Sequence, residues 1–304
     1  MIYTVLLVLT LSFSINLLLI FLANRIGLVD DPGGKKLAIH KKPIPISGGL
    51  AIVLSTLASI SLFALSHFLN LRDYYWVILA IFLPATLIAT FGIVDDLKGI
   101  SPIIRLFYQS IISFLILIII LPGFSFFLIV TAVLLTILIL ITISATNMTD
   151  GMDGLCGTMA LITLFSYFLV SKGEIINFYL LSLMLAVFVF LIFNFNPAKI
   201  FLGNCGSEFL GFSIGLSAVI LILTSAKALQ IVLIILMIGV PIADMFFAIL
   251  RRAVKHQPIT SGDRDHIYDK ILKRGFSQKK VWLILTIAQI AINGFAVYFY
   301  FQFK

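Results

Sequence analysis

Long apolar runs separated by short polar stretches organise the whole chain. Ten such runs fall near 2–24, 48–70, 75–94, 104–121, 124–146, 155–171, 175–193, 207–224, 228–250 and 279–302. A membrane-spanning helix needs roughly 20 apolar residues, and each run meets or approaches that length. The pattern therefore predicts an all-α, polytopic integral membrane protein of about ten transmembrane helices. Several connections turn abruptly, at Pro122-Gly123, Lys172-Gly173-Glu174 and Ser225-Ala226-Lys227. With neither an internal repeat nor a low-complexity linker, residues 1–304 read as a single transmembrane domain. The first run, Ile2 to Ala23, lacks a basic leading segment and exceeds the apolar core of a signal peptide, so it reads as a retained span.

Composition agrees with lipid as the main solvent. The 304 residues are 61% hydrophobic and 11% charged, with mean hydropathy +1.18, whereas soluble domains carry about a quarter charged residues. The two cysteines, Cys156 and Cys205, show no disulfide or zinc spacing.

Charge is distributed by side. Of 21 Lys and Arg, only Arg72, Lys172, Lys227 and Lys304 fall in the even connections and the C-terminus, leaving 17 in or beside the odd ones. The positive-inside rule then predicts cytoplasmic odd loops and both termini outside, in the plasma membrane. Topology explains the +8 net charge, with no nucleic-acid partner needed and with anionic headgroups and phosphates as further attractions. The acidic residues are not required by that rule, yet 11 of 13 lie on the same face, all but Asp73 and Glu174. A one-sided mixture of both signs suggests a polar site assembled from several loops.

Five segments could build it. Asp95-Asp96 ends a span, where ionisable groups are costly and two carboxylates repel unless a cation intervenes. The pair is either a solvated helix end or an oxygen-donor site for a hard ion such as Mg2+. In Asn147-Met-Thr-Asp150-Gly-Met-Asp153-Gly, helical i, i+3 spacing would put both aspartates on one face; a capped helix start is the alternative. In Asn194-Phe-Asn196-Pro-Ala-Lys199-Ile-Phe201-Leu-Gly203-Asn204-Cys-Gly-Ser207-Glu208, the glycine-rich turn ahead of a helix could bind an anion through backbone amides, and Phe201 could stack on a flat base. The first loop carries Lys35, Lys36, His40, Lys41 and Lys42, fit to hold phosphates or simply to set topology. The last loop joins Asp244, Arg251 and Arg252 to Asp263-Arg264-Asp265-His266-Ile-Tyr268-Asp269, where His266 sits among mixed charges.

In this order and on one face, the blocks resemble the polyprenyl-phosphate N-acetylhexosamine-1-phosphate transferase superfamily, from about residue 24 to 278. The Asp-Arg-Asp-His run is similar to the GlcNAc-type branch. The resemblance implies transfer of a sugar 1-phosphate from a UDP-N-acetylhexosamine to undecaprenyl phosphate, giving UMP and a lipid diphosphate sugar, with Mg2+, or Mn2+ in its place, as cofactor and a homodimer as the assembly. It implies Asp95 as base or lipid-phosphate organiser, with Asp96 and Asp153 also catalytic. Asp96, Asp153 and Asn204 would be the metal ligands. Substrate would be held by Lys36, His40, Asn147, Asp150, Asn196, Phe201, Arg264 and His266. Two departures stand out. The family has Asp where this chain has Asn204, and often Asn where it has Ser144. A neutral amide offsets none of an ion's charge, so Glu208 or Asp153 would have to compensate. A transporter or a catalytically inactive lipid-binding relative are the alternatives.

Overall fold

The computed structural model describes residues 2–32, 43–66, 71–121, 123, 125–225, 227–259 and 264–303; side chains at 2, 4, 63–66 and 71–80 are not described. Twelve helices occupy these residues: α1 (Ile2–Ile26), α2 (Gly48–Ser66), α3 (Leu71–Lys98), α4 (Pro102–Ile120), α5 (Phe126–Thr149), α6 (Leu155–Val170), α7 (Glu174–Asn194), α8 (Gly203–Leu223), α9 (Ala228–Leu236), α10 (Gly239–Val254), α11 (Ile267–Lys273) and α12 (Gln278–Gln302). Two short strands, β1 (Val29–Asp30) and β2 (Ile44–Pro45), pair antiparallel between α1 and α2.

The chain is an all-α, multi-pass membrane protein. Among the described residues six helices (α1, α4, α5, α7, α8 and α12) are long and apolar enough to cross a bilayer; the α9–α10 pair makes a seventh, and α2 and α6 are shorter apolar helices. Each apolar run read from the sequence coincides with a helix except 228–250, which is two helices meeting at 79°. The cause is local. Gly239 adopts φ +43 and Pro241, in the first turn of α10, has no N–H to continue α9. Backbone groups freed inside a membrane protein need internal partners, and Gln289 of α12 supplies them. Its Oε1 accepts from Val240 N at 2.8 Å, while its Nε2 donates to Met237 O and Thr163 Oγ1, both at 3.1 Å.

α8 forms the centre. From Cys205 to Val219 every residue is buried, against α2, α3, α5 and α6. Without a hydrophobic drive between helices in lipid, small residues allow the backbones to approach. A Cβ on Gly211 would come 2.5 Å from Ile143 Cα of α5, and one on Gly92 of α3 would come 2.6 Å from Cys205 Cα. The second approach brings the end of α3 to the start of α8, where the carboxylate pair sits.

Candidate active site

Adjacent carboxylates at the end of α3 serve different neighbours. Asp95 closes the turn into α4: its Oδ1 accepts from Ile100 N, and Gly99, at φ +68, lets the chain reverse. Ser101 then caps α4 with Pro102 in its first turn, which returns Arg105 to Asp95, Nη1 to Oδ2 3.1 Å. Asp96 instead caps α8. The residue preceding that helix, Leu202, offers no side-chain oxygen, so Asp96 accepts from Asn204 N (2.8 Å) and Cys205 N (3.0 Å). These are the orphan amides of a helix start, where a carboxylate is favoured. The amide-rich turn expected at Gly203 to Ser207 thus already holds an anion, the protein's own.

Asn204 is drawn into the same cluster. Its Oδ1 accepts from Asn147 Nδ2 at 3.0 Å and from Arg105 Nη1 at 3.4 Å. Asn147 also donates to Ser207 Oγ at 2.8 Å. One turn further along α8, Glu208 is fully buried. Its Oε2 accepts from Tyr108 Oη at 2.5 Å, while its Oε1 has no hydrogen bond and lies 3.7 Å from Arg105 Nε.

The 150–154 turn is organised separately. Asn194 accepts from Gly154 N and donates to Ile200 O, tying this turn to the 195–202 loop. Asp153 Oδ2 accepts from Asn196 Nδ2 (3.0 Å) and Ala198 N (3.1 Å), and Asn196 also donates to Gln278 Oε1 at the start of α12. Burial, then the neighbouring charges of Asp96 and Asp153, hold the Asp150 carboxyl well above the usual carboxylate range. Such mutual repulsion among Asp96, Asp150 and Asp153 is what a divalent cation relieves. The described residues do not fit that ion as placed: none of their His, Cys, Asp and Glu side chains group in threes to hold a metal, both oxygens of Asp96 accept from the α8 amides, and the oxygen of Asn204 is taken by Asn147 and Arg105.

The last loop comes back over the cluster. Tyr268 sits against Gly151 so closely that a Cβ there would lie 1.9 Å from its Oη. Tyr268 stacks on His266 with centroids 5.5 Å apart. Arg264 reaches Asp269 at 4.0 Å. Asp265 is bound by Lys273, which lowers its carboxyl below the usual range with help from Arg251.

A cavity of about 560 Å3 opens among these groups. Its polar end is formed by Arg105, Asn147, Asp150, Glu208, Arg264 and His266, and its apolar wall by Leu106, Ile137, Leu140, Ile141, Met245 and Ile249 of α4, α5 and α10. The structure thus gathers Asn147, Asp150, Arg264 and His266 around one space, with Asp95 and Asp96 linked to it through Arg105 and Asn204. Asp153, Asn196 and Phe201 lie outside its lining; Phe201 joins β2 through its backbone, its N–H donating to Pro45 O. Lys36 and His40 fall outside the described residues. Arg105 was not among the residues expected to act, and Asp244, though part of the last candidate segment, was given no role of its own. Arg105 is a lone cation in the first turn of an apolar span, and only folding shows that it meets Asp95, ten positions earlier.

Comparison with known proteins places the chain among relatives. A family model described as "Glycosyl transferase family 4" matches residues 78–222. A Bacillus subtilis (strain 168) protein named "Probable undecaprenyl-phosphate N-acetylglucosaminyl 1-phosphate transferase" is 33% identical over 282 residues, covering 88% of this chain and 75% of its own. The Salmonella typhi undecaprenyl-phosphate alpha-N-acetylglucosaminyl 1-phosphate transferase is 28% identical, covering 94% and 81%. A Mycobacterium leprae decaprenyl-phosphate N-acetylglucosaminephosphotransferase is 27% identical, covering 88% and 75%. The extent of these matches, which span the loops that build the cluster, means that the chain belongs to glycosyl transferase family 4, within the polyprenyl-phosphate N-acetylhexosamine-1-phosphate transferases.

Proposed function

We propose that this protein transfers N-acetylglucosamine 1-phosphate from its UDP-sugar to undecaprenyl phosphate, releasing UMP. The observation that carries this reading is the two-natured cavity. Its apolar wall, on membrane helices, suits an isoprenoid chain, and its polar lining includes three arginines, Arg105, Arg252 and Arg264, and a histidine that suit phosphates. The names of the relatives supply the sugar and the lipid.

In the reaction a phosphate oxygen of the lipid attacks the β-phosphorus of the UDP-sugar, and the bond to the bridging oxygen breaks toward UMP. Two anions must meet, so catalysis is mostly positioning and charge neutralisation. Arg105, Arg264 and His266 bind and orient phosphates at the polar end. Asp95, fixed by Ile100 N and Arg105, organises the attacking phosphate. Phe201 would take the uracil, and Lys36 and His40 would hold phosphate from the first loop. The resemblance gives Mg2+ to Asp96, Asp153 and Asn204, but both oxygens of Asp96 and that of Asn204 are already engaged, so no step is routed through the ion. The loops would face the cytoplasm with both termini outside, and the assembly would be a homodimer.

Purified protein incubated with undecaprenyl phosphate and a panel of UDP-sugars, with and without Mg2+, should release UMP from UDP-N-acetylglucosamine, and Asp95→Asn should abolish release. No UMP from any UDP-N-acetylhexosamine would overturn the proposal.

A further inference from the structure

A second cavity, of about 750 Å3, shares no lining residue with the polar site. It is a groove bounded by α6, α7 and α12. Ile290, Asn293, Gly294, Val297 and Tyr298 recur every three or four positions, so they lie on one face of α12. Apolar side chains of α6 and α7 stand opposite, among them Phe165 and Phe188, each about half exposed. Lipid tails would cover such walls unaided. Two residues of the α12 face need more than lipid. Asn293 is 3% exposed. Its Nδ2 donates to Gln289 O of the same helix, while its Oδ1 has no donor among the described residues. A buried amide oxygen without a partner is costly, and hydrocarbon tails carry no donor. Gly294 is the other. Glycine is a poor helix residue, and this chain otherwise places it in helices where a neighbour presses close. At every other glycine within a described helix, a Cβ would come 2.1 to 2.9 Å from an atom of another residue. A Cβ on Gly294 would meet nothing within 4 Å. By the same usage, the neighbour that Gly294 admits comes from outside the chain.

Together the two residues call for a helix that approaches closely and brings a hydrogen-bond donor, the combination that joins helices in lipid. The same face of α12 carries such a donor. Tyr298 is 59% exposed and lies one turn after Gly294, and a helical side chain leans back over the preceding turn. In a twofold pair each surface meets itself, which sets Tyr298 of one copy beside Asn293 of the other. We propose that this groove is where a second copy of the chain docks, with Gly294 at the crossing of the two α12 helices and Tyr298 Oη of each copy donating to Asn293 Oδ1 of the other. The assignment rests on the homodimer of the proposed function and gives it a surface.

The test counts subunits of the full chain in liposomes by single-molecule photobleaching over a range of lipid dilution, with cysteine cross-linking beside it. Gly294→Cys should yield a disulfide-linked dimer on mild oxidation, the native Cys156 and Cys205 being buried. Leu134→Cys on α5, 62% exposed, should yield none. Gly294→Leu should be monomeric at dilutions where wild type is dimeric; residue 294 faces open space, so the fold tolerates both changes. Asn293→Leu and Tyr298→Phe should each weaken dimerisation by about 10-fold, the scale of one interhelical hydrogen bond in lipid. The double variant should weaken it no further than either single, because both remove the same bond. Dimers unchanged by Gly294→Leu would overturn the assignment, as would cross-linking of Leu134→Cys equal to that of Gly294→Cys. Wild type that is monomeric at every dilution would also overturn it, whether a lipid or another protein fills the groove. UMP release from the same wild-type preparation separates the two readings: release by a monomer removes the interface and leaves the transfer reaction standing, while a dimer without release removes the reaction and leaves the interface.

Discussion

Asp244 Oδ2 lies 2.7 Å from His266 Nδ1, with both side chains buried. The other oxygen, Oδ1, accepts from Ile267 N at 2.7 Å. A carboxylate only accepts, so the proton sits on Nδ1, and in the proposed reaction His266 would meet phosphate through Nε2. Asp244 is thus a positioning residue, carried by α10 below the broken span, for a histidine on the last loop. Asp244→Asn keeps the shape and removes the charge. A charge-assisted hydrogen bond is worth about 1.5–3 kcal/mol, so kcat/KM for UMP release should fall about 10- to 100-fold. The loss should exceed any change in thermal midpoint; equal activity with a lowered midpoint would make the pair purely structural.

Gln289 predicts where the fold is vulnerable. It is fully buried and serves Val240 N, Met237 O and Thr163 Oγ1 at the α9–α10 break. Gln289→Leu has similar volume and none of these bonds. Unpaired buried groups cost about 1–3 kcal/mol each, so the thermal midpoint in detergent should drop by several degrees. Gln289→Glu, which keeps the acceptor for Val240 N but loses both donors, should drop less if the accepted bond dominates.

Gly92→Val tests the approach of α3 to α8. A Cβ there would come within 2.6 Å of Cys205 Cα, and backbone cannot yield as a flexible side chain does. The helices should separate by a few tenths of an ångström or more, pulling Asp96 from the amides of Asn204 and Cys205. UMP release should fall to near zero while circular dichroism still reports a helical protein. Retained activity would show that the contact is not needed.

A pH effect follows from Asp269 at the start of α11. Burial raises its carboxyl above the usual range, only partly offset by the hydrogen bond from His266 N and by Arg264. The folded form therefore holds the proton more tightly than the unfolded chain, and this residue's contribution to stability falls as pH rises through its ionisation. Asp269→Asn should raise the thermal midpoint relative to wild type at pH 8, with the two curves converging toward pH 4. A difference independent of pH would remove the carboxyl from the explanation.

Periodicity and run length made most of the architecture legible before folding, because bilayer thickness sets span length and charge cannot hide in lipid. The break in 228–250 escaped because Gly239 and Pro241 are equally at home in an ordinary turn, and the Gln289 that pairs the freed backbone groups lies some fifty residues away. A lone Pro241 near a helix start carries no such message by itself. In the site, the Asp95-Asp96 pair and the Asn147 to Asp153 block announced themselves by charge at the end of spans. Their division of labour did not. Nothing local says that Asp95 turns to Arg105 while Asp96 turns to α8, since that depends on which backbone comes near. Asn204 was visible as a departure, but its meaning came from the guanidinium beside it.

The cap that Asp96 places on α8 makes two distant parts of the chain a single mechanical strut. Through it, the end of α3 cannot shift without carrying the first turn of α8, and with it Asn204 and the side chains that Asn204 touches. In the proposed reaction the lipid would arrive from the bilayer and the nucleotide from water, on either side of this joint.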